Sequence, residues 1–477
     1  MQSLSILFYG DDRVNDDPPG VTFGLSDLSR FICEGLKNVV DIRIEYVHRH
    51  QRDRTTRKEI QGAHKLAWEF VSDYQEIWMF ADRCANRDTG DVRTDEPYNE
   101  LDQYEKAVML EWMKSNGLFL TGDHSIFNAA SADRCAENHV EFVGLGAALG
   151  RHVPRAHQLR VWDGPPTDCP ASPHDNYNTV DGPDPSVLDS LGDLLQTDFI
   201  PQNLLHPSTK HKLFCWVDST GEVVPVTVFP DHQHEGKVVI PAQQELDQAW
   251  PSNSPPPEIV ARGTDKRPFA SDREYALVAA FDGDPVNVGR MVVDSSFHHY
   301  TNLNLFFLVG RDTNGSPTPE TALGQIAQYY CNLALWLAPR NIREGLKLDL
   351  FSNVAAHPMV RSAKGKDLET LGRGARRAAE ILIGPSTLFQ VLGVANENGG
   401  SFEELVVAAM RSEAEPLLVA NGIAQPASAT LEKIFGAIIQ EFDDFFGAHG
   451  LVSESARIDV PRADIVNRGL VRAFRPN

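Results

Sequence analysis

The chain has 477 residues, a formal net charge of -22, 42% hydrophobic and 23% charged side chains. That is enough apolar material for a full core and for division into two domains. The acidic balance excludes nucleic acid and anionic membrane as partners, because both need a basic face.

In chain order, Ser5–Tyr9 is an apolar run ending in Gly10-Asp11-Asp12, a strand running into a loop. Leu25–Leu36 has helical spacing, and Asp41–Val47 alternates with period 2. A helix over Arg57–Val71 then leads to strand Glu76–Ala81, and a helix over Leu101–Ser115 leads to strand Gly117–Thr121. Four strand–helix repeats with short connections predict an α/β fold with a doubly wound, mainly parallel, flavodoxin-like sheet.

From Arg151 the strands come without helices between them: Lys212–Val217, Glu222–Phe229, Lys237–Ile240, Tyr275–Phe281 and Gly289–Asp294. This predicts an antiparallel-rich insertion that returns to the main sheet with Arg290-Met-Val-Val-Asp294. Beyond Thr318 the pattern is helical: Gln325–Leu337, Gly374–Ile383, Glu403–Met410 and a stripe from Leu431 to Phe446. A C-terminal α-helical domain is expected, with a surface for self-association into a homo-oligomer.

Six scattered cysteines (Cys33, Cys84, Cys135, Cys169, Cys215, Cys331) include no C-x-x-C pair. Free buried thiols in a reducing compartment are expected, and neither a zinc ribbon nor a redox motif is supported. The sequence shows no basic n-region and no long apolar run, so no signal peptide or membrane span is expected and the protein reads as cytoplasmic.

Histidines and carboxylates crowd into three strings near strand ends: Asp123-His124, Asp231-His232-Gln233-His234-Glu235, and Asp294 followed by His298-His299. Ligands bind at the carboxyl ends of strands in open α/β sheets. In an extended segment His232 and His234 share one face, with Asp231 and Glu235 on the other, so two imidazoles can serve one metal. Glu235 fits a general base, and the alternative for the whole string is a solvated loop. Asp123 is a ligand, a base or a helix N-cap. His298 and His299 point to opposite faces if the strand persists, so one faces the site and the other packs. Asp294 could orient an imidazole if the chain turns there. Asp11, Asp12 and Asp82 could reach the same crevice, though Asp is also a common turn former.

A strand–helix domain with a Gly122-Asp123-His124 turn after its fourth strand, and a later Gly289-Arg-Met-Val-Val-Asp294 strand leading to His298-His299, resembles the class I glutamine amidotransferase-like superfamily. Within it, the likeness is to trehalose-utilisation-type (ThuA-like) proteins and related uncharacterised bacterial groups. The resemblance implies a class I glutamine amidotransferase-like domain over residues 1–310, with the strand-rich insertion at 151–288, and a helical domain over 311–477. It implies sugar-derived small-molecule substrates. The elbow here carries Gly122, Asp123 and His124 with no cysteine, so it departs from the cysteine glutaminases.

The expected function is a metal-dependent hydrolase, or a lyase or isomerase. A divalent metal, with zinc the best fit to an imidazole-rich set, is held among His124, His232, His234, His299 and Asp231. Glu235, Asp123 and His298 are the catalytic candidates. The alternative is a non-catalytic ligand-binding or assembly module on the same fold.

Overall fold

The computed structural model describes residues 1–10, 24–49, 64–81, 101–122, 153–159, 211–217, 240–264, 274–295, 297–302, 322–363 and 367–392, with short pieces elsewhere. The short pieces include 195–196, 200–201, 223–226 and 229–230, and 436–437 and 439–440 near the C-terminus.

The chain opens with β1 (Ser3–Gly10), α1 (Ser26–Leu36), β2 (Asp41–His48), β3 (Glu76–Ala81), α2 (Gln103–Trp112) and β4 (Gly117–Gly122). Next come β5 (Ile200–Pro201), the hairpin pair β6 (Cys215–Val217) and β7 (Val223–Pro225), then β8 (Glu258–Thr264), β9 (Glu274–Phe281) and β10 (Met291–Asp294). The helices α3 (Ala322–Leu337), α4 (Arg340–Ala356), α5 (Leu368–Ile383) and α6 (Pro385–Leu392) follow.

The main sheet has eight strands in the order β2-β1-β3-β4-β10-β9-β8-β5. Its first five strands are mutually parallel, and the last three run antiparallel to their neighbours. β10 takes the fifth place of the flavodoxin-like order 2-1-3-4-5. Strands β8 and β9, within the expected insertion, extend this sheet directly.

Alternation along the central strands sorts the core into two layers. Phe8, Trp78, Phe80, Phe119 and Val292 face α1 and α3, while Leu7, Met79, Leu120 and Val293 face α2. Helices on both faces make the sheet doubly wound, as the strand–helix repeats predict. Among the described residues no helix is long and apolar enough to cross a membrane. Cys33, Cys215 and Cys331 are free thiols, the last two buried.

Several predicted elements differ. Of the helix expected over Arg57–Val71, the described residues are helical only at Trp68–Val71, and Glu59–Ile60 form a short strand. Upstream, the Leu66 N–H donates at 2.9 Å to the Glu105 carboxylate, which also accepts from the buried guanidinium of Arg49 at 2.7 Å and from the Asp102 N–H at 3.0 Å. That tertiary bond takes the amide a helix would direct to its own turn. Lys212–Phe214 is a 3-10 turn leading into a shorter strand. The strand expected over Glu222–Phe229 is described only at Val223–Pro225 and Phe229–Pro230. Val238 makes one sheet-like bond, its N–H to the Ala276 carbonyl at 2.9 Å, and lies in no strand. The sequence reading missed β8, whose Glu-Ile-Val-Ala-Arg-Gly-Thr run is only briefly apolar. The predicted segment Glu403–Met410 lies outside the described residues.

Candidate functional site

Strands β4 and β10 leave the sheet side by side at their carboxyl ends. Asp294 is the register partner of Thr121. Val292 and Phe119 face the α3 layer, so two residues further along each strand Asp294 and Thr121 project to that same layer. The backbone of Phe229–Pro230, immediately before Asp231, pairs antiparallel with Leu195–Gln196 and runs beside the Phe297–Tyr300 turn. The described anchors of all three histidine strings therefore meet at one edge of the sheet.

The strand does not persist to the histidine pair. It ends at Asp294, and Phe297–Tyr300 form a 3-10 turn. The face alternation expected for His298 and His299 therefore does not apply. His299 Nδ1 lies 2.7 Å from Asp294 Oδ1, with both side chains fully buried. An ionised carboxylate can only accept, so Nδ1 carries a proton toward Asp294; in the neutral imidazole that leaves the lone pair on Nε2.

Three tyrosines brace this pair. The Tyr300 hydroxyl donates to Asp294 Oδ2 at 2.6 Å and lies 3.0 Å from the Tyr329 hydroxyl, while Tyr330 donates to the His299 carbonyl at 2.6 Å. Burial, then the Asp294 charge, pushes the Tyr300 phenol well above its ordinary range; burial likewise raises Tyr329 and Tyr330. All three phenols therefore stay protonated. With the Tyr300 proton committed to Asp294, Tyr329 donates to Tyr300, giving a chain Tyr329–Tyr300–Asp294–His299. Phe119 and Phe80 pack edge-on against the Tyr300 ring at 5.0 and 6.0 Å and fix its plane.

Two residues on, Asn302 ties the turn to α1. Its side-chain oxygen accepts from Asp27 N–H at 2.9 Å, and its amide donates to Ser26 Oγ at 2.9 Å. The α1 N-terminus has no side-chain cap of its own, so Asn302 supplies one from across the chain.

Two buried hydroxyls flank the dyad without partners: Thr121 Oγ1 on the adjoining strand and Ser295 Oγ next in sequence.

Asp123, His124, Asp231, His232, His234 and Glu235 lie outside the described residues, as does the side chain of His298. Among the described residues no three His, Cys, Asp or Glu side chains form a group able to hold a metal ion. The described contribution is thus Asp294–His299 with its tyrosines.

Sequence reasoning missed Tyr300, Tyr329, Tyr330, Thr121 and Asn302. The signal available for the first was its place directly after His-His; the tyrosine pair read only as part of a helical run. No protein-family model, curated protein or solved structure matches the chain.

Proposed function

We propose that the chain is a hydrolase, or a related lyase or isomerase, working with a divalent metal at the carboxyl edge of its parallel sheet. The observation that carries the proposal is the meeting of three anchors: Thr121 beside Asp294, and Pro230 beside the Phe297–Tyr300 turn. Each anchor leads within a few residues to a histidine.

His299, with its Nδ1 held by Asp294, has the form of a metal-binding imidazole backed by a carboxylate, the arrangement that fixes tautomer and raises ligand basicity. His124, His232 and His234, with Asp231, complete the ligand candidates, and an imidazole-rich set favours zinc. A bound ion of this kind lowers the pKa of water or polarises a substrate oxygen. Glu235 and His298 are the proton carriers in this proposal, and Asp123 is a further base or ligand. The substrate is a small molecule, and the amidotransferase-like, ThuA-like resemblance points to a sugar derivative. The free thiols fit a cytoplasmic setting, and the C-terminal helices are the proposed domain for self-association.

Elemental analysis of the purified protein tests this reading. About one equivalent of metal is expected in the wild type and none in a His232→Ala/His234→Ala variant of unchanged circular dichroism. A wild type that stays metal-free after incubation with zinc rejects it.

A metal-free acid–base enzyme is the second reading, favoured by the Tyr329–Tyr300–Asp294–His299 hydrogen-bonded chain, which orients the imidazole through protein groups. It predicts an unchanged pocket chemistry in the presence of strong chelators.

A further inference from the structure

The main sheet ends on β2, whose outer side pairs with no strand among the described residues. The Asp41 N–H donates to the Gln2 carbonyl at 2.9 Å, so the main-chain groups of Asp41, Arg43, Glu45 and Val47 turn towards β1. Those of Ile42, Ile44 and Tyr46 turn outward, an open row of donors and acceptors along an eight-residue strand. Such a row is a template for a further strand.

The side chains of β2 form a pattern with a centre. Ile42, Ile44 and Tyr46 lie on the α1 face, partly buried against its core, and the Tyr46 hydroxyl donates to the Leu25 carbonyl at 2.8 Å. Arg43 and Glu45 lie on the other face with Val47. Arg43 Nη2 meets Glu45 Oε2 at 2.9 Å, and the Tyr74 hydroxyl also lies beside Glu45. The two charged side chains nevertheless stay 69% and 41% exposed. Around Ile44 the strand therefore reads apolar, basic, apolar, acidic, apolar, with opposite charges equidistant from the middle.

We infer that β2 pairs antiparallel with β2 of a second copy of this chain, about a two-fold axis at Ile44. In that register Ile44 faces the partner's Ile44, Ile42 faces the partner's Tyr46, and Arg43 faces the partner's Glu45, with the reciprocal pairs across the axis. The outward-turned residues fall on the hydrogen-bonded positions, so each pair exchanges both main-chain bonds. The charged residues fall on the non-bonded positions, where opposing side chains come closer. Other registers fail on the same sequence. A one-residue shift sets outward main-chain groups against ones already bonded to β1. An axis at Arg43 or Glu45 sets like charges face to face, and axes further along shorten the ladder. This interface is separate from the C-terminal helices, and β1, β3 and β4 stand between it and the Asp294 strand.

The test is sedimentation velocity of the full chain over a wide concentration range. One strand edge covers less surface than a standard stable interface, so the sedimenting mass should rise with concentration from one chain to two. Arg43→Glu and Glu45→Arg each set like charges across the axis and should weaken dimerisation about tenfold or more. The double variant Arg43→Glu/Glu45→Arg restores the opposition and should recover the wild-type affinity. An equimolar mixture of the two single variants should dimerise more strongly than either alone. Ile44→Pro removes an N–H that β1 does not use, and should abolish pairing while the far-ultraviolet dichroism stays the same. A wild type monomeric throughout overturns the proposal, whether the edge then stays open or takes another protein's strand. A dimer that both single variants leave intact places self-association elsewhere, as on the C-terminal helices, and equally refutes the β2 axis. Should Glu45→Arg lose its fold with the Tyr74 contact, Arg43→Glu alone decides: undiminished dimerisation there contradicts the proposal.

Discussion

Two donors, an imidazole and a phenol, converge on the buried Asp294 carboxylate, and the behaviour of each follows from what the other leaves it. Tyr300→Phe removes one donor and should cost about 1–3 kcal/mol of stability, read as a lower denaturant midpoint with an unchanged slope. Asp294→Asn keeps the shape but presents an amide to His299, which can reverse its tautomer. It should weaken metal binding about ten- to a hundredfold while the far-ultraviolet dichroism stays the same; equal zinc affinity in the variant would separate the dyad from the metal. At the other end of the sheet, Glu76 is fully buried, with Oε2 accepting from Trp78 Nε1 at 2.7 Å and Oε1 without a partner. Burial pushes its carboxyl well above 4.5. The folded state then holds a proton that the unfolded chain releases, so stability falls by about 1.4 kcal/mol per pH unit above the ordinary value until the raised value is passed. Glu76→Gln should therefore gain little at pH 4 and progressively more towards pH 8. A variant no more stable than wild type at pH 8 would mean that the carboxylate is ionised and satisfied.

Among the elements, the turn before β6 depends on protonation. His211 Nδ1 accepts from Leu213 N–H at 3.3 Å and so must stay unprotonated to cap Lys212–Phe214. Burial, with Lys212 and Arg290 nearby, lowers its pKa to about 3. The unfolded chain takes up this proton first, so stability is lost as pH falls from about 6.5 towards 3. His211→Asn, which keeps an acceptor for Leu213, should flatten this acid limb by up to about 1.4 kcal/mol per pH unit; parallel wild-type and variant curves between pH 6 and 4 would contradict the assignment. Gly289 has a packing reason: a Cβ there would collide with the Asn116 carbonyl where β10 enters beside β4. The strands of the parallel half were legible because Leu4–Tyr9, Ile77–Phe80 and Leu118–Leu120 are apolar on both faces, as a sheet covered by helices on both sides requires. Leu66 was not, because its amide is claimed by Glu105 from a distant helix. Nor was β8, whose pairing with β9 carries register shifts that hide any clean alternation.

For the molecule as a whole, the candidate site was legible as three histidine strings, whereas the groups that support the described one were not. Asp294 meets His299 where the chain leaves the strand in a 3-10 turn, and no period in the sequence announces that turn. Tyr329 and Tyr330 reach the site only because α3 packs back onto the sheet layer containing Phe119 and Tyr300. The sheet order brings β4 and β10 together across more than 150 residues of sequence, a non-local pairing that local patterns cannot specify. The proposed function depends on whether the remaining imidazoles follow their anchors. The most direct measurement is a crystal structure of the zinc-incubated protein with anomalous scattering recorded at the zinc edge. The account predicts one strong peak about 2.0–2.1 Å from His299 Nε2 and from at least two of His124, His232 and His234. No peak at that edge of the sheet, with these imidazoles on separate surfaces, would contradict it.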